Sequence, residues 1–213
     1  DFLMVATSKG EIKKTPIRDF SNVRSNGLIT MDIAPGDELV SARLAKARDE
    51  LILVSQKGKA IRFPEAKVRA MGRPARGVRG MSLDPADYLV GMEAVGKEGL
   101  ILTVSENGYG KRTALEEYRI TSRGGKGVIN MKTSARNGKV VSILNVKETS
   151  DLFIITKDGK ILRLEAGQIR EAGRSTQGVR LVRLEEGDRI AATSVIPEEE
   201  PGACAIPPDP CRS

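Results

Sequence analysis

The chain has 213 residues, of which 39% are hydrophobic and 30% are charged, so it can bury a sizeable core and is not expected to be disordered as a whole. Thirty-five Lys and Arg residues exceed 28 Asp and Glu residues, which gives a formal net charge of +7. With no His and only two Cys, the composition argues against most hydrolase and metal-site templates and against a disulfide framework.

The ends of the chain and its apolar runs bear on where the protein works. The chain begins at Asp1, already inside an apolar run, so we expect a piece of a longer protein. No apolar run approaches the roughly 18 residues of a membrane span, and no secretory leader opens the sequence. We therefore expect a cytoplasmic protein with no membrane partner. Both cysteines, Cys204 and Cys211, lie in the C-terminal tail and fit a reducing compartment.

Four short apolar runs open four units of about fifty residues. The runs are FLMVAT (2–7), LILVS (51–55), LILTVS (100–105) and LFIIT (152–156). Each leads into a tight turn whose glycines, 48, 50 and 51 residues apart, are Gly10, Gly58, Gly108 and Gly159. A second glycine follows 17 to 19 residues later in each unit, at Gly27, Gly77, Gly127 and Gly178. Short runs rich in Val, Ile and Leu between turn residues are typical of β-strands.

The pattern of each unit predicts one blade of a propeller. A further apolar strand follows the second glycine, and a last strand follows a turn that is acidic in three units, which makes four strands per unit. We predict an all-β, β-propeller-like fold of four-stranded blades over residues 1–196, with repeats at about 1–48, 49–97, 98–148 and 149–196. Side-by-side β-sandwiches are the alternative, but they do not require one pattern to recur four times at fixed phase. The Pro-rich tail, 197–213, is predicted to be disordered.

Cations recur at fixed phases of the repeat. One lies four residues after each hairpin glycine, at Lys14, Arg62, Arg112 and Arg163. Others lie around the second glycine, while acids cluster at the later turn of each unit. The tail carries a net charge of −3, which leaves +10 on residues 1–196. The predicted DNA-binding side chains are Lys13, Lys14, Arg24, Arg62, Arg73, Arg76, Arg79, Lys111, Arg112, Arg123, Lys126, Arg163, Arg174 and Arg180.

Successive blades would bring equivalent cations side by side along one convex edge. Such a curved basic belt suits the phosphate backbone of bent duplex DNA. No recognition-helix pattern is present, and four Phe, three Tyr and no Trp leave little to stack unpaired bases, so we expect double-stranded DNA without sequence preference. Alternatively, these cations are solvated residues that protect hairpins and edge strands from aggregation.

The segment TSRGGKG (121–127) is the most pointed basic motif. Glycines between Arg123 and Lys126 leave the backbone accessible, so we predict that Gly124, Gly125 and Gly127 contact phosphate through their amides. An ordinary Gly-rich connection with incidental charge is the alternative. The segment is not a P-loop, because the G-x-x-x-x-G-K-[ST] spacing is missing.

The sequence resembles the C-terminal domain of the DNA gyrase A protein over residues 1 to about 196. The stretches that carry the resemblance are SKGEIKKTPIRDFSNVRSNG (8–27), KGKAIRFPEAKVRAMGRPARGVRGM (57–81), ENGYGKRTALEEYRITSRGGKGVIN (106–130) and KDGKILRLEAGQIREAGRSTQGVRL (157–181). The resemblance implies a β-pinwheel whose outer rim wraps duplex DNA and supports ATP-dependent negative supercoiling by a type IIA topoisomerase. It also implies two partners in the bacterial cytoplasm at the nucleoid, namely the remaining gyrase A domains and the gyrase B protein.

The resemblance has a departure that limits it. The family's box, Q-R-R-G-G-K-G, belongs to the first of usually six blades, whereas TSRGGKG lies in the third of four units, with Thr121 and Ser122 in place of Gln and Arg. The chain therefore resembles the last four blades. The strand-passage tyrosine and the ATPase site belong to other regions of the holoenzyme, so Tyr88, Tyr109 and Tyr118 are expected to pack or lie on the surface.

Several functional alternatives stay open. The resemblance implies no catalytic centre, metal or cofactor in this chain. The equivalent domain of topoisomerase IV and a propeller that binds protein partners are the alternatives to a gyrase domain. An enzyme ranks last, because no nucleophile, base and orienting group occur together. The tail glutamates Glu198, Glu199 and Glu200 are a candidate competitor of DNA for the basic rim.

Overall fold

A computed structural model describes residues 1–23 and 25–196. The strands of this part of the chain are β1 (Phe2–Thr7), β2 (Glu11–Pro16), β3 (Leu39–Ala45), β4 (Glu50–Ser55), β5 (Lys59–Pro64), β6 (Val78–Arg79), β7 (Leu89–Val95), β8 (Leu100–Ser105), β9 (Tyr109–Ala114), β10 (Val128–Ile129), β11 (Val140–Val146), β12 (Asp151–Thr156), β13 (Ile161–Glu165), β14 (Val179–Arg180) and β15 (Ile190–Val195). Short 3-10 helices follow the second strand of each repeat, at Ile17–Phe20, Glu65–Lys67, Leu115–Glu117 and Ala166–Gln168. None of these helices is long and apolar enough to cross a membrane.

The strands form four antiparallel sheets that follow one another as propeller blades. The sheet orders are β3-β1-β2-β6, β7-β4-β5-β10, β11-β8-β9-β14 and β15-β12-β13. In the first blade Met4 pairs with Lys14 in β2 and with Arg43 in β3, so β1 is a central strand. Gly10, with φ of 85°, makes the tight turn between β1 and β2. The all-β, propeller-like prediction is confirmed.

The fourth strand of a blade comes from the next repeat, which the repeat pattern did not predict. In β6, Val78 pairs with Ile12 of the first repeat; in β10, Val128 pairs with Ala60 of the second; in β14, Val179 pairs with Gly110 of the third. The prediction that each unit supplies all four strands of its own blade is wrong. Consecutive blades are therefore joined by exchanged backbone hydrogen bonds as well as by side-chain packing.

The exchange explains both ends of the described region. Leu28 and Ile29 occupy the place of the donated strand in the first repeat but form no strand there, and Ile29 is exposed. At the other end β13 is an edge strand and the fourth sheet has three strands, because residues 1–23 and 25–196 contain no fifth repeat to donate one. Among these residues, the predicted fourth strand of the last blade is not observed.

The hydrophobic core lies between blades. Successive side chains of a strand point to opposite faces, and in β4 both faces are buried. Leu51 and Leu53 pack with Met4 of the first blade, whereas Ile52 and Val54 pack with Ile101 of the third. This two-sided burial explains why the run LILVS (51–55) is continuously apolar rather than alternating.

We expect the second glycine of the third repeat to resist substitution. Gly127 has φ of 73°, and a Cβ there would lie 2.2 Å from the carbonyl oxygen of Ala60, where the donated segment crosses the outer strand. The left-handed backbone alone costs a non-glycine residue about 1–2 kcal/mol, so Gly127→Ala should lower the free energy of unfolding by about 2 kcal/mol or more in denaturant titrations. Gly72→Ala is the matched control, since nothing lies within 4 Å of its added Cβ, and its stability should hardly change.

Candidate nucleic-acid interface

The cations four residues after the hairpin glycines hold blades together in the first three repeats. Lys14 forms an ion pair with Glu65 of the second repeat. Arg62 pairs with Glu50 of its own blade and donates to the carbonyl oxygen of Leu115 in the next repeat at 2.6 Å, and Arg112 donates its Nε–H to the carbonyl oxygen of Ile169 at 2.7 Å. All three cationic side chains are buried. A buried, paired cation cannot reach a DNA phosphate, so the prediction that these three residues bind DNA is wrong.

The lysines that precede Lys14 and Arg112 in the sequence, Lys13 and Lys111, also hold segments of the fold together. Lys13 donates to the carbonyl oxygens of Thr30 (2.7 Å) and Arg73, and Lys111 donates to those of Gly173 (2.6 Å) and Arg174 (2.9 Å). Both side chains are fully buried, because β2 and β9 are covered on both faces. The prediction that Lys13 and Lys111 bind DNA is therefore wrong. Both side chains instead anchor connecting segments that follow a second strand.

Arg163, the equivalent residue in the fourth blade, is in a different environment. Its side chain is 66% exposed and pairs with Asp151 on the neighbouring strand. The difference arises because no further repeat lays a connecting segment over β13 within the described residues. Its contact with DNA stays a prediction, whereas the expectation that all four equivalent cations share one exposed edge is wrong.

The pKa of Lys111 gives a test of this burial. Desolvation lowers that pKa from 10.5 to about 8 in the folded chain, with Arg174 adding to the effect. Between about pH 8 and 10.5 the unfolded chain then binds more protons than the folded one, so this residue makes the free energy of unfolding rise with pH. Burial raises the pKa of Tyr118, so above about pH 10 its ionisation favours unfolding.

We expect the stability of the wild type, measured by urea titration, to rise from about pH 8 towards pH 10 relative to that of Lys111→Met. The comparison isolates Lys111, because every other titrating group is common to both chains. A stability difference between them that stays constant over this range would show that the ammonium group keeps its ordinary pKa and is hydrated.

The cations around the second glycine lie towards the surface. Arg76, Arg79, Arg123, Lys126 and Arg180 are exposed, and Arg73 and Arg174 are half-buried. Three of these side chains already have partners in the fold. Arg123 donates to the carbonyl oxygens of Lys67 and Arg79, both at 3.0 Å. Exposed ion pairs join Arg76 to Asp32 and Lys126 to Asp84. All seven stay predicted DNA ligands. Arg24 lies outside the described residues, as does the tail 197–213.

The glycines of the TSRGGKG segment are used in part by the fold. The amide of Gly124 donates to the carbonyl oxygen of Gly80 at 2.6 Å, so it is not free for phosphate, and the prediction for Gly124 is wrong. Gly127 brings the donated segment against Ala60, as described above. Gly125 is exposed, and contacts from Gly125 and Gly127 to phosphate stay predictions.

Three arginines that the sequence pattern left unnoticed occupy one equivalent place on successive blades: Arg69, Arg119 and Arg170. Each is exposed, and no hydrogen bond or ion pair holds its side chain within the residues that the structure describes. The residue after each one forms a parallel bridge to an outer strand, Ala70 to Lys14, Ile120 to Arg62 and Glu171 to Arg112. The three guanidinium groups therefore recur along the outer edge of blades one to three.

The sequence contains a pattern that marks Arg69, Arg119 and Arg170. Each follows a buried apolar or aromatic residue, at Val68, Tyr118 and Ile169, and the spacings are 50 and 51 residues. In an extended segment the side chain after a buried one points away from the core. We therefore call Arg69, Arg119 and Arg170 the rim arginines.

The acidic residues of the later turn lie elsewhere in the blade. The carboxylate oxygens of Asp37, Asp87 and Asp188 accept hydrogen bonds from the amides of Lys9, Lys57 and Asp158. These carboxylates thus close the hairpin ends of the first, second and fourth blades. These acids therefore lie at the hairpins, whereas the rim arginines lie at the outer strands; Asp84 of the later turn pairs instead with Lys126.

Comparison with known proteins identifies the family that has this architecture. The family model described as DNA gyrase C-terminal domain, beta-propeller, matches the chain in four consecutive segments, 1–46, 49–95, 99–147 and 150–197. The chain belongs to the DNA gyrase C-terminal domain family.

Individual relatives agree with the family. The DNA gyrase A protein of Klebsiella oxytoca is 42% identical over 196 residues, which cover 92% of this chain and 22% of that protein. The gyrase A protein of Mycolicibacterium smegmatis is 39% identical over 207 residues, which cover 96% and 25%. The chain thus spans about a quarter of the length of the curated relatives it matches.

Solved structures share the fold. A DNA gyrase A C-terminal domain matches with a TM-score of 0.83 and 30% identity, over 91% of this chain and 65% of that one. The C-terminal domain of DNA topoisomerase IV matches with a TM-score of 0.85 and 25% identity, over 92% and 61%. The gyrase C-terminal fold is therefore also that of topoisomerase IV, and the higher of these two sequence identities is to gyrase.

Proposed function

We propose that this chain binds double-stranded DNA without sequence preference and wraps it around the outer rim of its blades, as the C-terminal domain of a gyrase A protein. The observation that carries the proposal is the recurrence of the rim arginines Arg69, Arg119 and Arg170 on three successive blades, exposed and without a partner among the described residues. Phosphate contacts of this kind are independent of base sequence.

Several contacts must act together for wrapping. Bending a few tens of base pairs tightly costs on the order of 10 kcal/mol, which a single arginine does not offset. The rim arginines and the exposed cations of the donated segments, such as Arg79 and Arg180, supply such a set. Stacking of unpaired bases has little support, because Tyr109 and Tyr118 are buried and Tyr88 is the one half-exposed tyrosine among the three.

We further propose that the chain contributes binding rather than chemistry. In this proposal it has no catalytic centre and no cofactor of its own, and it presents DNA to the remaining gyrase A domains and the gyrase B protein in the bacterial cytoplasm. There the wrap would bias ATP-dependent strand passage towards negative supercoils. The equivalent role in topoisomerase IV is the second candidate, favoured by the TM-score of 0.85 to that enzyme's domain.

A topological assay tests wrapping. The chain is bound to relaxed circular plasmid, a nicking-closing topoisomerase relaxes the complex, and the plasmid is deproteinised and resolved by gel electrophoresis. We expect a change in linking number that grows with bound protein. Binding without such a change would mean adhesion alone. Reconstitution with the other gyrase parts then separates the candidates, since negative supercoiling is expected for a gyrase domain.

A further inference from the structure

Tyr109, the first residue of β9, lies under two guanidinium groups. The residue is 3% exposed, and the guanidinium carbons of Arg136 and Arg180 lie 5.0 and 5.5 Å from the centre of its ring. Arg180 belongs to β14, the strand donated by the fourth repeat, and Arg136 belongs to the connection before β11. Cations from two repeats thus meet on one aromatic ring, a favourable cation–π geometry.

The phenol oxygen of Tyr109 fixes both cations. It accepts a hydrogen bond from Arg180 Nη2 at 2.9 Å and one from Arg136 Nε at 3.3 Å. These hydrogen bonds, the one from Arg136 first, lower the pKa of the phenol. Each planar guanidinium has five N–H donors, so most donors of both groups are left over for another acceptor.

No carboxylate among the described residues neutralises the positive charge of this pair. Both arginines are exposed, and within residues 1–23 and 25–196 neither has a carboxylate within ion-pair distance. Other arginines of the same blade or its neighbour, such as Arg112 and Arg189, do approach a glutamate. Two guanidinium groups that are held together without a counter-charge repel each other, and an oxyanion between them would relieve that repulsion.

We propose that Arg136 and Arg180 form a binding site for one phosphodiester group of DNA, and that Tyr109 is the residue that positions them. The inference rests on the proposed function and adds to it a site that differs from the rim arginines, because its cations are oriented in advance. Preorganised, bidentate donors hold phosphate more strongly than isolated flexible ones.

The site is particular to the third blade. The residues equivalent to Tyr109 in the other repeats are Glu11, Lys59 and Lys160. In the first blade, Glu11 pairs across the strands with Arg79, so an acid stands where the third blade has the ring. The third blade alone has an aromatic residue there, so we expect one DNA phosphate to be held at a fixed register on this blade.

Affinity for a duplex of about 40 base pairs, measured against salt, tests the proposal. Arg136→Gln and Arg180→Gln should each weaken binding about 5- to 10-fold at about 0.1 M salt and reduce the slope of log K against log salt by about 0.9. Tyr109→Phe should weaken binding about 2- to 5-fold with an unchanged slope, because it disorders the cations without removing charge. Arg189→Gln is the control: Arg189 is exposed but approaches Glu106 within 3.9 Å, and its replacement should leave affinity almost unchanged.

The ionisation of Tyr109 gives a second readout that a merely structural role would not move. In a Tyr88→Phe chain, Tyr109 should be the first tyrosine to ionise in an ultraviolet titration, since burial raises the pKa of Tyr118. Bound DNA should raise the pKa of Tyr109, because phosphate competes for the guanidinium donors and adds negative charge. Arg136→Lys, which keeps charge but loses the planar fork, should weaken binding at constant slope even if Tyr109→Phe folds poorly.

The outcomes separate this inference from the proposed function. If the wild type binds DNA with a steep salt dependence but the Arg136, Arg180 and Tyr109 variants bind as it does, the phosphodiester site is refuted and the wrapping function stands. An unchanged Tyr109 titration on DNA binding also refutes the site. If the wild type shows no salt-dependent binding, the proposed function itself fails.

Discussion

Replacing all three rim arginines, Arg69→Gln, Arg119→Gln and Arg170→Gln, is expected to weaken DNA binding on the order of 10²- to 10³-fold at about 0.1 M salt. Each phosphate contact releases about 0.9 counterion, which is worth nearly a decade of affinity between about 1 M and 0.1 M salt. The slope of log K against log salt should fall by about 2.7 for three contacts. The measurement is a series of fluorescence-anisotropy titrations between about 0.05 and 0.3 M salt, a range in which the electrostatic contribution is large.

The matched control removes the same charge elsewhere. Lys46, Lys97 and Lys147 are exposed and occupy equivalent turns between the inner strand of one blade and the first strand of the next. Their triple change to Gln should lower affinity only slightly, since each of them follows an inner strand, β3, β7 or β11. Equal losses for the two triple variants would mean that overall charge, not the rim, attracts DNA. Unequal losses on different DNA sequences would contradict backbone recognition.

The fold could be predicted from sequence because the repeat determines it. Glycines at a constant position in the repeat indicate turns, and continuous apolar runs such as LILVS indicate buried strands. Both are local properties of each unit's sequence. The exchange of β6, β10 and β14 could not be predicted in the same way. A two-residue strand such as Val78–Arg79 has the same sequence whether it pairs within its own unit or with the preceding one, because strand pairing is a non-local property.

The site was predicted less well, for a related physical reason. Recurrence at fixed phase shows that Lys14, Arg62 and Arg112 share an environment, but it does not distinguish a shared surface from a shared interior. Here the environment is an inter-blade clamp, in which a cation satisfies carboxylates and carbonyl oxygens that burial would otherwise leave unpaired. The rim arginines share an exposed environment, and their spacing together with the alternation after Val68 or Tyr118 marks them in the sequence.

Removal of the Arg62 clamp is expected to have the largest effect on stability. The guanidinium pairs with Glu50 of its own blade and donates to the carbonyl oxygens of Leu115 (2.6 Å) and Tyr118 (3.2 Å) of the next repeat. Its side chain is 6% exposed, and that of Glu50 is 13% exposed. Arg62→Met leaves a largely buried carboxylate and two carbonyl oxygens without this donor, so it should lower the free energy of unfolding by about 3–5 kcal/mol in denaturant titrations.

The same variant decides between the two roles considered for this residue. Arg163→Met is the control, because it removes the equivalent cation where it is exposed, and stability should change little. At a temperature where Arg62→Met remains folded, its DNA affinity should match that of the wild type, whereas Arg119→Gln, next to the residue that bridges Arg62, should bind more weakly at undiminished stability. If instead Arg62→Met unfolds like the wild type but loses DNA binding, the guanidinium reaches DNA, and the inter-blade clamp does not stabilise the protein as its contacts require.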